Sequence, residues 1–185
     1  MTWSTRFAAS TNFGSSRLVY YMGGVDNWIF AKFNSDIWVD QSKNYSYQTL
    51  ATNMRGFKQN IRNGTSFALL STELRIPFVQ LIARRQISNQ FFNSLQLVLF
   101  GDVGTAWTGV SPYSDENCLY TRWVYAGDIT VRVKRQVEPI IGGFGLGLRA
   151  SLFGYFLRLD YAWGVEDFKI EDKTGMLHFS IGLDF

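Results

Sequence analysis

Six stretches of the chain alternate between apolar and polar residues with a period of two, the pattern of strands whose two faces meet different surroundings. The last is the cleanest: Leu177, Phe179, Ile181, Leu183 and Phe185 alternate with His178, Ser180, Gly182 and Asp184. Tyr155, Leu157, Leu159, Tyr161 and Trp163 alternate with Arg158, Asp160 and Ala162. Phe144, Leu146 and Leu148 alternate with Gly143, Gly145, Gly147 and Arg149. Leu95, Leu97, Leu99 and Val103 alternate with Gln96, Val98, Phe100 and Asp102. Ala68, Leu70, Leu74, Ile76 and Phe78 alternate with Phe67, Ser71, Glu73 and Arg75, and Trp3, Phe7, Ala9 and Phe13 with Ser4, Arg6, Ser10 and Asn12. Each predicted strand is roughly 10–14 residues long, whereas soluble strands average about 5–6 and a tilted membrane-crossing strand needs about 9–11. The expected fold is all-β, an antiparallel transmembrane β-barrel wall with its apolar face on lipid. A soluble sandwich also builds two-faced strands, but its strands are shorter.

The connections alternate too. Residues 14–64 form one long loop, Val79 to Gln90 is shorter, Thr108 to Glu138 is long, Ser151 to Gly154 is a tight turn, and Gly164 to Lys173 is intermediate. Outer-membrane barrels keep long loops outside, short turns in the periplasm and the C-terminus in the periplasm. Counting back from Phe185, the longer connections all fall outside and the shorter ones inside. That orientation gathers Trp3, Phe78, Phe91, Tyr155 and Phe185 at the periplasmic rim, and Phe13, Trp107, Tyr161 and Trp163 at the outer rim. Two such aromatic girdles mark membrane barrels. Six strands do not close a barrel, since single-chain outer-membrane barrels start at about eight. Residues 1–185 are therefore expected to be the C-terminal portion of one larger barrel domain.

Composition narrows the choices. Of 185 residues, 17% are aromatic and 18% charged, against about 25% charged in an average soluble domain. No apolar run approaches the roughly 18 residues of a membrane helix. The net charge of +3 is mild and dispersed and does not point to nucleic acid. A single Cys118 excludes an intrachain disulfide framework and a cysteine zinc site, and a single His178 removes histidine clusters. No cofactor is expected. Met1 to Ser10 shows no charged and then apolar segment of a signal peptide, so the chain reads as mature, trimmed or partial.

The inward face carries the candidate chemistry. Glu73, Arg75, Asp102, Arg149, Arg158 and Asp160 all fall on lumen parity, where opposite charges pair across a wall or line a pore. Gly143, Gly145 and Gly147 form one inward column, leaving room for another backbone to lie against the wall. The long loop, with Tyr20-Tyr21-Met22-Gly23-Gly24 and Met54-Arg55-Gly56-Phe57, is too aromatic to be a mere connector and is expected to pack on that wall.

Met54-Arg55-Gly56-Phe57 resembles the loop motif of the bacterial surface antigen superfamily of BamA-like and two-partner secretion outer-membrane barrels. Phe100-Gly101-Asp102-Val103-Gly104 is similar to its inner-wall motif, and Ser71-Thr72-Glu73-Leu74-Arg75-Ile76-Pro77 to the preceding strand with its acidic partner. Gly145 to Arg149, Leu157 to Ala162 and the terminal Phe185 resemble the last three strands. The resemblance implies a sixteen-stranded barrel in the bacterial outer membrane, with Arg55-Gly56-Phe57 folded inward and Arg55 held by Glu73 and Asp102 beside Gly104. It implies further N-terminal strands and periplasmic domains, unfolded outer-membrane or secreted proteins as substrates, and Phe185 as a C-terminal assembly signal. Such a barrel would insert or translocate proteins by strand exchange at a weak seam, here Met176 to Phe185. The charged lumen alone also fits a passive channel or surface-binding barrel. An enzyme is not expected: His178 and Asp184 share a face but lie roughly 20 Å apart at strand rise.

Overall fold

The structure, a computed structural model, describes residues 1–37, 39, 45–79, 90–126 and 129–182. Its main sheet contains six long or terminal strands: β1 (Thr2–Thr11), β5 (Ser66–Ile76), β6 (Gln96–Trp107), β9 (Ile141–Leu152), β10 (Tyr155–Glu166) and β12 (Met176–Gly182). They lie in that order, and every pairing between neighbours is antiparallel. The short β11 (Lys169–Ile170) hooks back onto the end of β10. These are the six stretches the alternation predicts, and the sheet they form is open.

Which face is buried decides the environment. The charged inner face is covered: Asp102 is 0% exposed, Asp160 4% and His178 1%. The apolar outer face is bare, with Trp3 78%, Phe7 70% and Leu177 55% exposed. A soluble sandwich would bury the second set and wet the first. This inversion is what a wall between lipid and lumen requires.

The connections are more ordered than the sequence suggests. The long loop carries β2 (Arg17–Met22), β3 (Tyr45–Leu50) and β4 (Arg62–Gly64), a small sheet in which β2 is parallel to β3 and antiparallel to β4. The loop after Thr108 holds a helical turn, α2 (Asp115–Cys118), and a separate hairpin of β7 (Leu119–Ala126) and β8 (Ile129–Gln136). Before β6 lies α1 (Gln90–Ser94), so Phe91 sits on a helical turn against Phe92 and not on a strand end as expected. The rest of the Val79–Gln90 connection, residues 80–89, lies outside the described residues, as does Phe185. The turn at Phe153-Gly154 is as tight as expected; both residues have positive φ, which matches a two-residue hairpin to the strand twist.

The long loop returns over the inner face. Met22, Met54, Phe57 and Ile61 from the loop pack with Phe67, Leu69, Ala106 and Ile141 from the wall in one apolar cluster. Burying such side chains contributes roughly 1.5–3 kcal/mol each. Apolar loop residues that would be costly in water are thereby the reason the loop docks.

Candidate functional site

The loop tip enters the wall at Arg55. Its Nε donates to Asp102 Oδ2 at 2.7 Å and its Nη2 to Asp102 Oδ1 at 2.6 Å, a two-armed fork. Nη1 donates to Glu73 Oε1 at 2.5 Å. Ser71 Oγ accepts from Nη2 at 3.1 Å and donates to Asp102 Oδ1 at 2.6 Å. The guanidinium carbon lies 3.6 Å from the centre of the Phe100 ring, a cation–π contact. Arg55 is 4% exposed. Burial opposes its charge, but the Asp102 hydrogen bonds and carboxylate, with Asp160 and Glu73, outweigh it and raise the loop arginine's pKa.

The register explains why these groups meet. Ser71 stands opposite Asp102, and Glu73 opposite Phe100, across β5 and β6. Both pairs face inward, so one guanidinium spans both strands. Glu73 is also bonded by Arg75 at 2.9 Å and lies 3.6 Å from Arg149, which in turn pairs with Asp160. The lock itself, through Arg55 and Glu73, helps line a cavity of about 170 Å³ that also meets Arg6, Arg75, Arg149, Arg158 and Asp160.

The backbone of the tip needs a wall without side chains. A Cβ on Gly143 would come 2.1 Å from the Arg55 carbonyl oxygen, and one on Gly164 2.5 Å from the Phe57 ring. Those two glycines are paired across β9 and β10 and form a single notch. Gly56, at φ +94, turns the chain there against Trp163 and Gly164. The expected column is thus corrected. Gly143 receives the loop, but Gly145 makes room for the Tyr161 backbone and Gly147 for the Asp160 carboxylate. Gly104 also stands apart from the loop: the nearest atoms to a Cβ there belong to Ala68 and Leu69 of β5.

Sequence reasoning passed over three contributors. Gly164 lay beyond the predicted strand end at Trp163. Ser71 was read only as a lumen residue. The sequence places His178 on the lumen face with no partner to hand, yet its Nε2 accepts the Gly56 N–H at 3.0 Å, and its ring lies 4.4 Å from the Trp28 ring. Accepting at Nε2 requires a neutral ring with the proton on Nδ1. Buried Arg62 donates to Glu166 at 2.7 Å and to the Glu138 carbonyl at 2.8 Å, tying the loop to the end of β10 and to the segment before β9. Only knowledge of the register brings these distant residues together.

An antiparallel wall with an exposed apolar face, a charged buried face and a loop of its own folded onto that face is a transmembrane β-barrel wall. The Omp85 superfamily domain matches residues 9–185, and the chain belongs to that superfamily. Members of the family are outer-membrane β-barrel proteins, and the family is one of membrane-protein insertion and translocation. The similarity to surface-antigen barrels is borne out at this level. No curated protein and no solved structure matches the chain.

Proposed function

We propose that this chain forms the C-terminal wall of a larger, sixteen-stranded barrel in the bacterial outer membrane that inserts or translocates proteins. The observation carrying this reading is the Arg55 fork on Asp102 and Glu73, seated over the Gly143–Gly164 notch. A passive pore needs a charged lumen but no loop locked across it. The lock fixes the loop beside β12, the seam strand. The inward residues of β12 are small or polar, namely His178, Ser180 and Gly182, and such side chains add little cross-strand packing. A seam of this kind opens more readily than its neighbours. The work is strand exchange and needs neither a cofactor nor a catalytic residue. Its partners are lipid, the preceding strands and periplasmic domains, and unfolded outer-membrane or secreted polypeptides.

The test is reconstitution of the full-length protein in lipid vesicles. An unfolded outer-membrane barrel offered to them should fold faster than with empty vesicles, read as heat-modifiable migration, or a secreted polypeptide should become protected from protease. Vesicles that conduct ions while leaving both substrates unfolded and unprotected would assign a passive channel instead.

A further inference from the structure

Two successive amides of the loop tip are held by two different strands. The Arg55 N–H donates to Asp102 Oδ2 of β6 at 3.3 Å, and the Gly56 N–H to His178 Nε2 of β12 at 3.0 Å. The first acceptor is a carboxylate that the Arg55 guanidinium also grips. The second is a ring nitrogen, which accepts only while the ring is neutral. His178 is 1% exposed and lies under the Trp28 ring, so loop and wall together enclose it.

A proton on Nε2 would set one N–H against another. The tip has no slack to absorb this. A Cβ on Gly56 would come 2.7 Å from the Gly164 nitrogen and from the Trp163 carbonyl carbon, so the backbone there is already pressed against β10. Relief lies only in the direction away from the notch. The other ring nitrogen, Nδ1, is buried with no hydrogen-bond partner among the described residues, so a charged ring would bury two N–H groups without an acceptor.

The surrounding charges do not offset that loss. Asp160 stands opposite His178 on β10, but Arg149 of β9 holds it, and Asp102 of β6 is held by Arg55. Arg55 and Lys32 of the loop act on the ring as like charges, and Arg158 of β10 stands opposite Ser180, two residues along β12. Both carboxylates that face the histidine thus already carry a guanidinium.

We propose that His178 is a positioning residue that makes seating of the loop tip depend on pH: neutral, it clamps the Gly56 amide; protonated, it drives the tip off the wall. The released state binds one proton more than the seated state. Seating therefore strengthens as pH rises and is lost as pH falls through the titration of the histidine. The inference concerns the loop alone and stands whatever the barrel carries.

The test uses the full-length protein in lipid vesicles, with a nitroxide spin label on the exposed Lys58→Cys in a Cys118→Ser background. The label is attached at neutral pH, and its mobility is followed from about pH 8 to about pH 3, a range that spans histidine titration. The parent should pass from immobile to mobile. His178→Gln keeps a side-chain acceptor that does not titrate, and its label should stay immobile to at least ~1 pH unit, tenfold in proton concentration, below the parent's midpoint. In parallel, the imidazole nitrogens of His178, assigned by their absence from the His178→Gln solid-state NMR spectrum, should change from neutral to charged as the parent's label is freed. That titration decides even where glutamine fails to hold the tip. A parent label that stays immobile throughout, equal midpoints for parent and His178→Gln, or a ring that charges while the tip stays seated would overturn the proposal.

Discussion

Arg55→Ala is the perturbation with the largest expected effect. It deletes three hydrogen bonds to carboxylates, one to Ser71 and the contact with the Phe100 ring. Asp102, fully buried, is left with the Ser71 hydroxyl as its remaining side-chain partner in the lock. Glu73 keeps Arg75 and Arg149 and suffers less. Removing one member of a buried ion pair costs about 3–5 kcal/mol, chiefly because the other charge stays buried. With a urea dependence of about 2 kcal/mol per molar, a loss of about 4 kcal/mol lowers the unfolding midpoint by about 2 M. Tryptophan fluorescence during urea unfolding in lipid vesicles measures it. Asp102→Asn should destabilise in the same direction but less, since the guanidinium loses its two-armed carboxylate while keeping Glu73. Arg55→Lys should rescue only in part, because an ammonium keeps the charge but lacks the planar fork. The double variant Arg55→Ala with Asp102→Asn should be well short of additive. Additivity to within about 0.5 kcal/mol would show that the two residues act independently and would refute the lock.

The notch and the orientation give two further tests. Gly143→Ala places a Cβ 2.1 Å from the Arg55 carbonyl, so the loop tip should be expelled and trypsin should cut after Arg55 and Lys58, while Gly101→Ala, whose nearest neighbour would be 3.8 Å away, should leave the loop protected. Ser114→Cys in a Cys118→Ser background should react with a membrane-impermeant maleimide on intact cells; labelling only after the outer membrane is permeabilised would reverse the orientation.

The wall was legible because its physics is local. Leu97, Leu99 and Val103 against Val98, Phe100 and Asp102 is a period-two pattern any reader can count, and the lumen parity of Glu73 and Asp102 follows from it. What the pattern lacks is register. That Ser71 stands opposite Asp102, or that Gly143 and Gly164 share a notch, depends on how two strands slide past each other, and alternation is blind to a slip of two residues. The strands inside the loops were missed for another reason. β4 has only three residues, too few to show a period, and it is held by pairing with β2, distant in sequence. His178 was undervalued because a lone lumen histidine resembles any other polar wall residue until its partner, a backbone N–H, is known.

That histidine also orders events in time. The Gly56 N–H and His178 are 122 residues apart, whereas Arg55 and Asp102 are separated by 47. The arginine contact closes over the shorter span, so the guanidinium can find its carboxylates while the Gly56 N–H still has no acceptor. Contacts of such long range close late, since the intervening chain must be ordered first. The loop tip therefore completes its seating only after the last strand has been laid against β10. A chain cut short before Met176 would keep the arginine contacts and lose the histidine and Trp28 ones. The final turn of the loop thus reports that the last strand of the wall is in place.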